Sequence, residues 1–351
     1  MRRFGTHEPG KDENVTGTLN TDDTPVWRPL RNEALGFLDS ISNLITELES
    51  QCPRMLTSVR RGPRLLMASD YSGDDDQAPA KVYSFLLADA IYLWLWLDMR
   101  AQLRKEHLPG GRRMSYKNLN DKHRQSALIP FLRIANAIPG LLITFIVDKE
   151  IHDLFGHQGS DMVQGGLIPP DWKGRTVERM VRIATLGGLI IAGMSAPGQD
   201  VLWFTDEDDI VANMARVRGA TRVIGGLVGG LSPHPMGHLR FGTAKCDNGS
   251  REVEDLLAIP DLVSGALSNM SMLLLGPEKS GAMFYGKECP EKAQIIMSWV
   301  ADATDHTLKK LVVCLVRVGG NLKTRCINFS ALVRRPEFFW YEEAREFLGH
   351  P

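Results

Sequence analysis

The chain has 351 residues, 43% hydrophobic and 24% charged, an ordinary globular composition long enough for one large or two small domains. With 41 basic and 42 acidic side chains the formal net charge is -1, which excludes attraction of a polyanion by overall charge and leaves only local patches to supply it. Five scattered cysteines, Cys52, Cys246, Cys289, Cys314 and Cys326, form no CxxC pair; this argues against a disulfide framework or a zinc ribbon and fits a reducing, cytoplasmic setting.

Residues 1–28 are rich in Gly, Thr, Asn, Asp and Pro without a hydrophobic period and read as a disordered or loosely ordered tail; their basic start lacks the apolar stretch of a signal peptide. In "RNEALGFLDSISNLITELES", Leu35, Leu38, Ile41, Ile45 and Leu48 recur at helical spacing, so residues 29–62 form a helical extension. "PRLLMASD" and "KVYSFLLAD" then read as an antiparallel pair of strands, "IYLWLWLDMRAQLRKEHL" as a helix up to Pro-Gly-Gly, and "RRMSYKNLN" as a third strand. "DKHRQSALIPFLRIANAIPG" is a helix capped by Asp121 and kinked at Pro130.

"LLITFIVD" follows as a fully buried parallel strand. Helix "RTVERMVRIATLGGLIIAGM", strand "DVLWFT", a helix beginning in "IVANMARVRGATRV", strand "MGHLRFGTAK" and helix "SREVEDLLAIPDLVSGALSNM", with Ser250 as its cap, complete a run of crossovers. The predicted architecture is α/β, a mixed sheet with three antiparallel strands and then parallel ones, flanked by helices over residues 63–275. The strands at 65–70, 142–147 and 201–205 are expected to run parallel and adjacent. From residue 276 the pattern changes to an accessory helix and a hairpin, "LKKLVVCLVRVGGNLKTRCINF", turning at Gly319, Gly320 and Asn321. Its first strand has no obvious partner in the core, so it needs cover, from the core or from a second copy in a homo-oligomer. The longest apolar runs, "SFLLADAIYLWLWL" and "IATLGGLIIAGM", fall short of the roughly 20 residues that span a membrane.

Three apolar strands end in an acid, Asp70, Asp148 and Asp206, and a fourth acid, Asp261, lies inside the apolar helix "LLAIPDLVSGAL". Parallel strands deliver their C-terminal residues to one sheet edge, where sites form. Asp favours turns and caps, which explains any single strand end. Asp261 has apolar neighbours on both sides, where an uncompensated carboxylate is costly. Carboxylate oxygen is the ligand Mg2+ or Mn2+ prefers, and a pair of such ions about 3.5 to 4 Å apart activates water and stabilises a leaving oxygen in phosphodiester cleavage.

These residues resemble a bacterial family catalogued as domain of unknown function 3800, assigned to the RNase H-like superfold. "SDYSGD" resembles its opening strand and Asp-Glu-Ser-Gly, with Tyr71 in place of the acid. "MSYKNL" resembles its Lys-containing segment, "FIVDK" its strand ending Asp-Lys, and "WFTDED" its strand ending Asp-Glu. "LLAIPDLVSG" is similar to its closing helix, with Pro260 where Ala is usual. The matches fall in order over roughly residues 63 to 270. The resemblance implies a metal-dependent nuclease in which Asp70 and Asp261 bind Mg2+ or Mn2+ and a third acid completes the set. Neighbourhood with the first strand favours Asp148, the Asp-Glu pattern favours Asp206, and Glu207 stands in reserve. The alternative is an RNase H-like scaffold that binds nucleic acid or a protein without cutting. Tyr71 removes one candidate ligand, and Pro260 threatens the helix that aims Asp261.

His152 and His157, and His234 and His238, lack the helical presentation of a zinc site and read as loop residues. The Gly-rich stretches match no phosphate-binding fingerprint. Basic clusters at 60–64, 104–113 and 334–335 are candidates for phosphate contact, the second above all.

Overall fold

A computed structural model describes residues 25–30, 36–152, 174–206, 213–247, 249–275, 289–302 and 304–327, with 166, 168, 172, 210 and 211. Helix α1 (Phe37–Gln51) buries Leu38, Ile41, Ile45 and Leu48 on one face. Its buried Ser42 and Glu49 pin the preceding segment: the Trp27 indole N–H donates to Ser42 Oγ at 3.1 Å, and Glu49 accepts from the backbone N–H of Val26 and Trp27. Trp27, expected in the loose tail, is thus part of the core.

Strands β1 (Arg64–Ser72) and β2 (Ala80–Asp89) lead through a short 3-10 turn to α2 (Trp94–His107). Helix α3 (Lys122–Ala135) starts where Asp121 accepts from the N–H groups of His123 and Arg124 and includes Pro130. Then follow β3 (Gly140–Asp148), α4 (Gly174–Met194), β4 (Asp200–Thr205), α5 (Met214–Leu231), β5 (Leu239–Thr243), α6 (Glu252–Leu275), α7 (Glu291–Val300), β6 (Leu308–Val318) and β7 (Asn321–Ile327). The α6 cap differs from expectation: Ser250 reaches only the Glu252 N–H, while Asp247 takes those of Arg251, Val253 and Glu254.

Among the described residues, seven strands form one mixed sheet in the order β5-β4-β1-β2-β3-β6-β7. Strands β1, β2 and β3 are an antiparallel meander, and β4 lies parallel to β1 on its other side, with β5 beyond it. The alternation of strand side chains splits the core in two. Leu65 and Met67 face α1, α4 and α5, whereas Leu66 and Ala68 face α2, α3, α6 and α7.

Three expectations are corrected. "MSYKNL" is not a strand: Met114 and Tyr116 alternate like strand residues, but both are buried from a loop that makes one 3-10 turn at Tyr116–Asn118. The third strand of the meander is therefore 140–148, which β2 separates from β1. The strands at 65–70, 142–147 and 201–205 point the same way, yet only the first and last are neighbours. Finally, the strand at 308–318 does have a partner, since β6 pairs in parallel with β3, and Gly319 and Gly320, both at positive φ, turn the chain into β7. Among the described residues no helix is long and apolar enough to cross a membrane.

Candidate functional site

The register of β1 and β4 aligns Ser69 with Thr205, so Asp70 and Asp206, each the next residue, emerge side by side at a spacing of about 4.8 Å between strands. Asp70 shares a sheet face with Leu66 and Ala68 and looks toward α6, where buried Ser264 donates from Oγ to Asp70 Oδ2 at 2.5 Å. Asp261 precedes Ser264 by three residues and so lies on the same stripe of the helix. Helix α6 runs unbroken through Pro260, so the helix that aims Asp261 is intact.

Asp261 is held from the opposite side by the loop that makes the 3-10 turn at Tyr116–Asn118. The Tyr116 N–H donates to Asp261 Oδ2 at 2.7 Å. That approach depends on Gly265, because a Cβ there would lie 2.4 Å from the Tyr116 ring. Burial raises the Asp261 carboxyl above the usual carboxylate range; the Tyr116 N–H and the Arg113 charge oppose that rise, and the Asp206 charge adds to it. Asp206 itself meets Arg113 in a two-pronged ion pair, Nη1 to Oδ1 at 3.0 Å and Nη2 to Oδ2 at 2.7 Å. Next to Asp70 across the sheet, Ser84 and Thr144 hydrogen-bond at 2.9 Å, extending a buried polar row under the helix.

The structure separates Asp148 from this group. Four residues beyond Thr144 and two strands from β1, it lies roughly 16 Å from Asp70 by strand geometry. It is buried, and its oxygens accept from the backbone N–H of Glu150 at 3.0 Å and of Arg317 at 3.4 Å, so it fastens the end of β3 to β6. Asp148 thus stands apart from Asp70, whereas Asp206 lies beside it. Glu207 lies outside the described residues, as does His157. Tyr71 does not subtract from the site: it faces the other side of the sheet, hydrogen-bonded to Ser69 at 2.7 Å with Arg179 above its ring, so an acid there would point away from Asp70.

The basic clusters are largely taken up by internal pairs. Arg104 binds Asp255, Arg112 binds Asp121, Arg113 binds Asp206, and Arg60 donates to the carbonyls of Gly193 and Ser195. His234 sits against Ser195. Cluster 334–335 lies outside the described residues. Sequence reasoning misses Ser264 and the Arg113–Asp206 pair; the doubled "RR" at 112–113 is the available signal, there only a candidate for phosphate contact. Among the described residues, no three His, Cys, Asp or Glu side chains stand close enough together to hold a metal ion as placed. Asp70, Asp206 and Asp261 each turn toward an internal donor instead.

Comparison with protein-family models, with curated proteins and with solved structures finds no match for this chain.

Proposed function

We propose that the chain is a metal-dependent phosphodiester hydrolase of RNase H-like type, acting on nucleic acid, in which Asp70, Asp206 and Asp261 hold Mg2+ or Mn2+. The observation that carries the reading is the juxtaposition of Asp70 and Asp206 at the ends of two neighbouring parallel strands, with Asp261 one helical turn from the Ser264 hydroxyl that touches Asp70. An antiparallel meander followed by parallel strands on the far side of β1 supports the superfold. Strand 140–148, expected beside β1, is separated from it by β2, so the reading rests on the β1–β4 pair.

The donor set fits the ion: oxygen only, with the Asp261 carboxyl raised chiefly by burial, a cost to its charged form that a bound cation offsets. A divalent ion held there supplies Lewis-acid activation of a water and neutralises charge on the leaving oxygen. The chain's own groups orient the ligands, Ser264 Oγ fixing Asp70 and the Tyr116 N–H fixing Asp261. Lys117, exposed directly after Tyr116, is the cation we assign to the substrate's phosphates.

One observation favours the second reading, a scaffold that binds nucleic acid or a protein partner without cutting: Arg113 already satisfies Asp206. Incubating wild type and Asp70→Asn with a panel of labelled DNA and RNA, single and double stranded, with and without Mn2+, decides between them. Cleavage that requires both Mn2+ and Asp70 is the expected result. Binding without cleavage under every condition makes the scaffold the answer.

A further inference from the structure

Among the described residues, Arg113 is the cation paired with Asp206 of the carboxylate group. It reaches Asp206 with both terminal nitrogens, and its charge is felt by Asp261. Its third donor, Nε, is buried with no hydrogen-bond partner. Arg100 and Arg104, by contrast, both turn Nε to the Asp255 carboxylate. A guanidinium that leaves a buried donor unmatched has taken the carboxylate at a cost that another arrangement could relieve. The backbone around it is well anchored, since the Arg113 carbonyl accepts from Arg124 Nε at 2.7 Å. The side chain is about a quarter exposed, so it has room to swing while its backbone stays in place.

We propose that Arg113 is the resident counter-cation of the metal-free site: it holds Asp206 against the charge of Asp261 and yields Asp206 when a divalent ion enters. The inference rests on the metal-site reading above and explains why the three acids are not gathered as placed. In the metal-free protein two neighbouring carboxylates without a cation repel each other, and Arg113 removes that repulsion. Once a divalent ion is present the guanidinium becomes a competitor for Asp206, because like charges cannot share so small a space without cost.

Arg113→Met keeps the length of the stem and removes the charge. Two opposed effects are expected: in EDTA the variant melts below wild type, and by calorimetry it binds Mn2+ more tightly, by about tenfold, the equivalent of about 1.4 kcal/mol of competition removed. Arg113→Lys keeps a charge but loses the fork and is expected to fall between the two on both readouts. It also serves if the methionine variant does not fold. A purely structural Arg113 predicts a lower melting point together with unchanged or weaker Mn2+ binding, and that result overturns the proposal while leaving the metal site standing. An unchanged melting point in EDTA overturns it as well. Absence of Mn2+ binding in wild type and both variants removes the metal-site reading and this proposal together.

Discussion

Helix α6 carries two aspartates, Asp255 and Asp261, six residues apart, about 9 Å along its axis, and they meet opposite surroundings. Asp255 is buried between Arg100 and Arg104, whose nitrogens reach its two oxygens at 2.5 Å. Two permanent charges face one acid, and the pair of helices α2 and α6 is tied together there. Asp261 receives the Tyr116 N–H and a hydrogen bond from the Ser115 side chain, while Arg113 is paired with Asp206. The same residue type on the same helix is thus a finished ion pair at one turn and an under-compensated carboxylate two turns on. Burial of an acid does not by itself mark a site; the charge left over after local pairing does.

The comparison breaks most visibly at Asp255. Asp255→Asn leaves two partly or fully buried guanidinium groups facing a neutral amide and is expected to destabilise the fold by roughly 3 to 5 kcal/mol in chemical denaturation, with no effect on the Mn2+-induced shift in melting temperature. A loss below about 1 kcal/mol would show that the pair is not the fastening described. Gly265→Ala comes next: the added Cβ pushes against the Tyr116 ring, for an expected cost of about 1 to 3 kcal/mol, and loosens the N–H that holds Asp261. Urea unfolding and Mn2+ affinity are expected to suffer together in this variant.

Asp148→Asn gives a third, smaller effect. Its two backbone hydrogen bonds are weakened, for about 1 kcal/mol, and the metal response stays that of wild type because Asp148 stands apart from the group. Smallest of all, in EDTA, is Asp261→Asn, which is expected to change stability by no more than about 1 kcal/mol at neutral pH, in the stabilising direction. Its sign follows from the raised carboxyl. A group that holds its proton more tightly folded than unfolded costs stability above its raised pKa, and the cost fades as pH falls from there toward the ordinary value of 3.8. The advantage of the variant over wild type should therefore shrink across that window; an advantage that grows with acidity contradicts the assignment.

Much of the sheet was legible in the sequence because its strands are short apolar runs with clear ends, and α6 was legible from its period. The misread strand at "MSYKNL" had the right alternation for the wrong reason: Met114 and Tyr116 bury toward α6 from a loop, and only the tertiary contact with Gly265 distinguishes that from a ladder. Asp148 and Asp206 were indistinguishable locally, each closing an apolar strand. What separates them is which strand lies beside β1, a long-range pairing that no local pattern encodes. In the basic cluster at 104–113, Arg104 and Arg113 are hidden for a related reason, since their partners Asp255 and Asp206 lie about a hundred residues away or more. The acids at the end of β4 and in α6 stand out in the sequence by their apolar neighbours; the serine and the arginine that contact Asp70 and Asp206 emerge only from the fold.

Calorimetric titration of Mn2+ into wild type, Asp261→Asn and Asp148→Asn tests the central claim most directly. The account predicts saturable binding to wild type, an unchanged affinity in Asp148→Asn, and at least about a tenfold loss in Asp261→Asn, as expected when a charged ligand is neutralised. Binding that survives in Asp261→Asn and disappears in Asp148→Asn, or no binding to wild type at all, would contradict it.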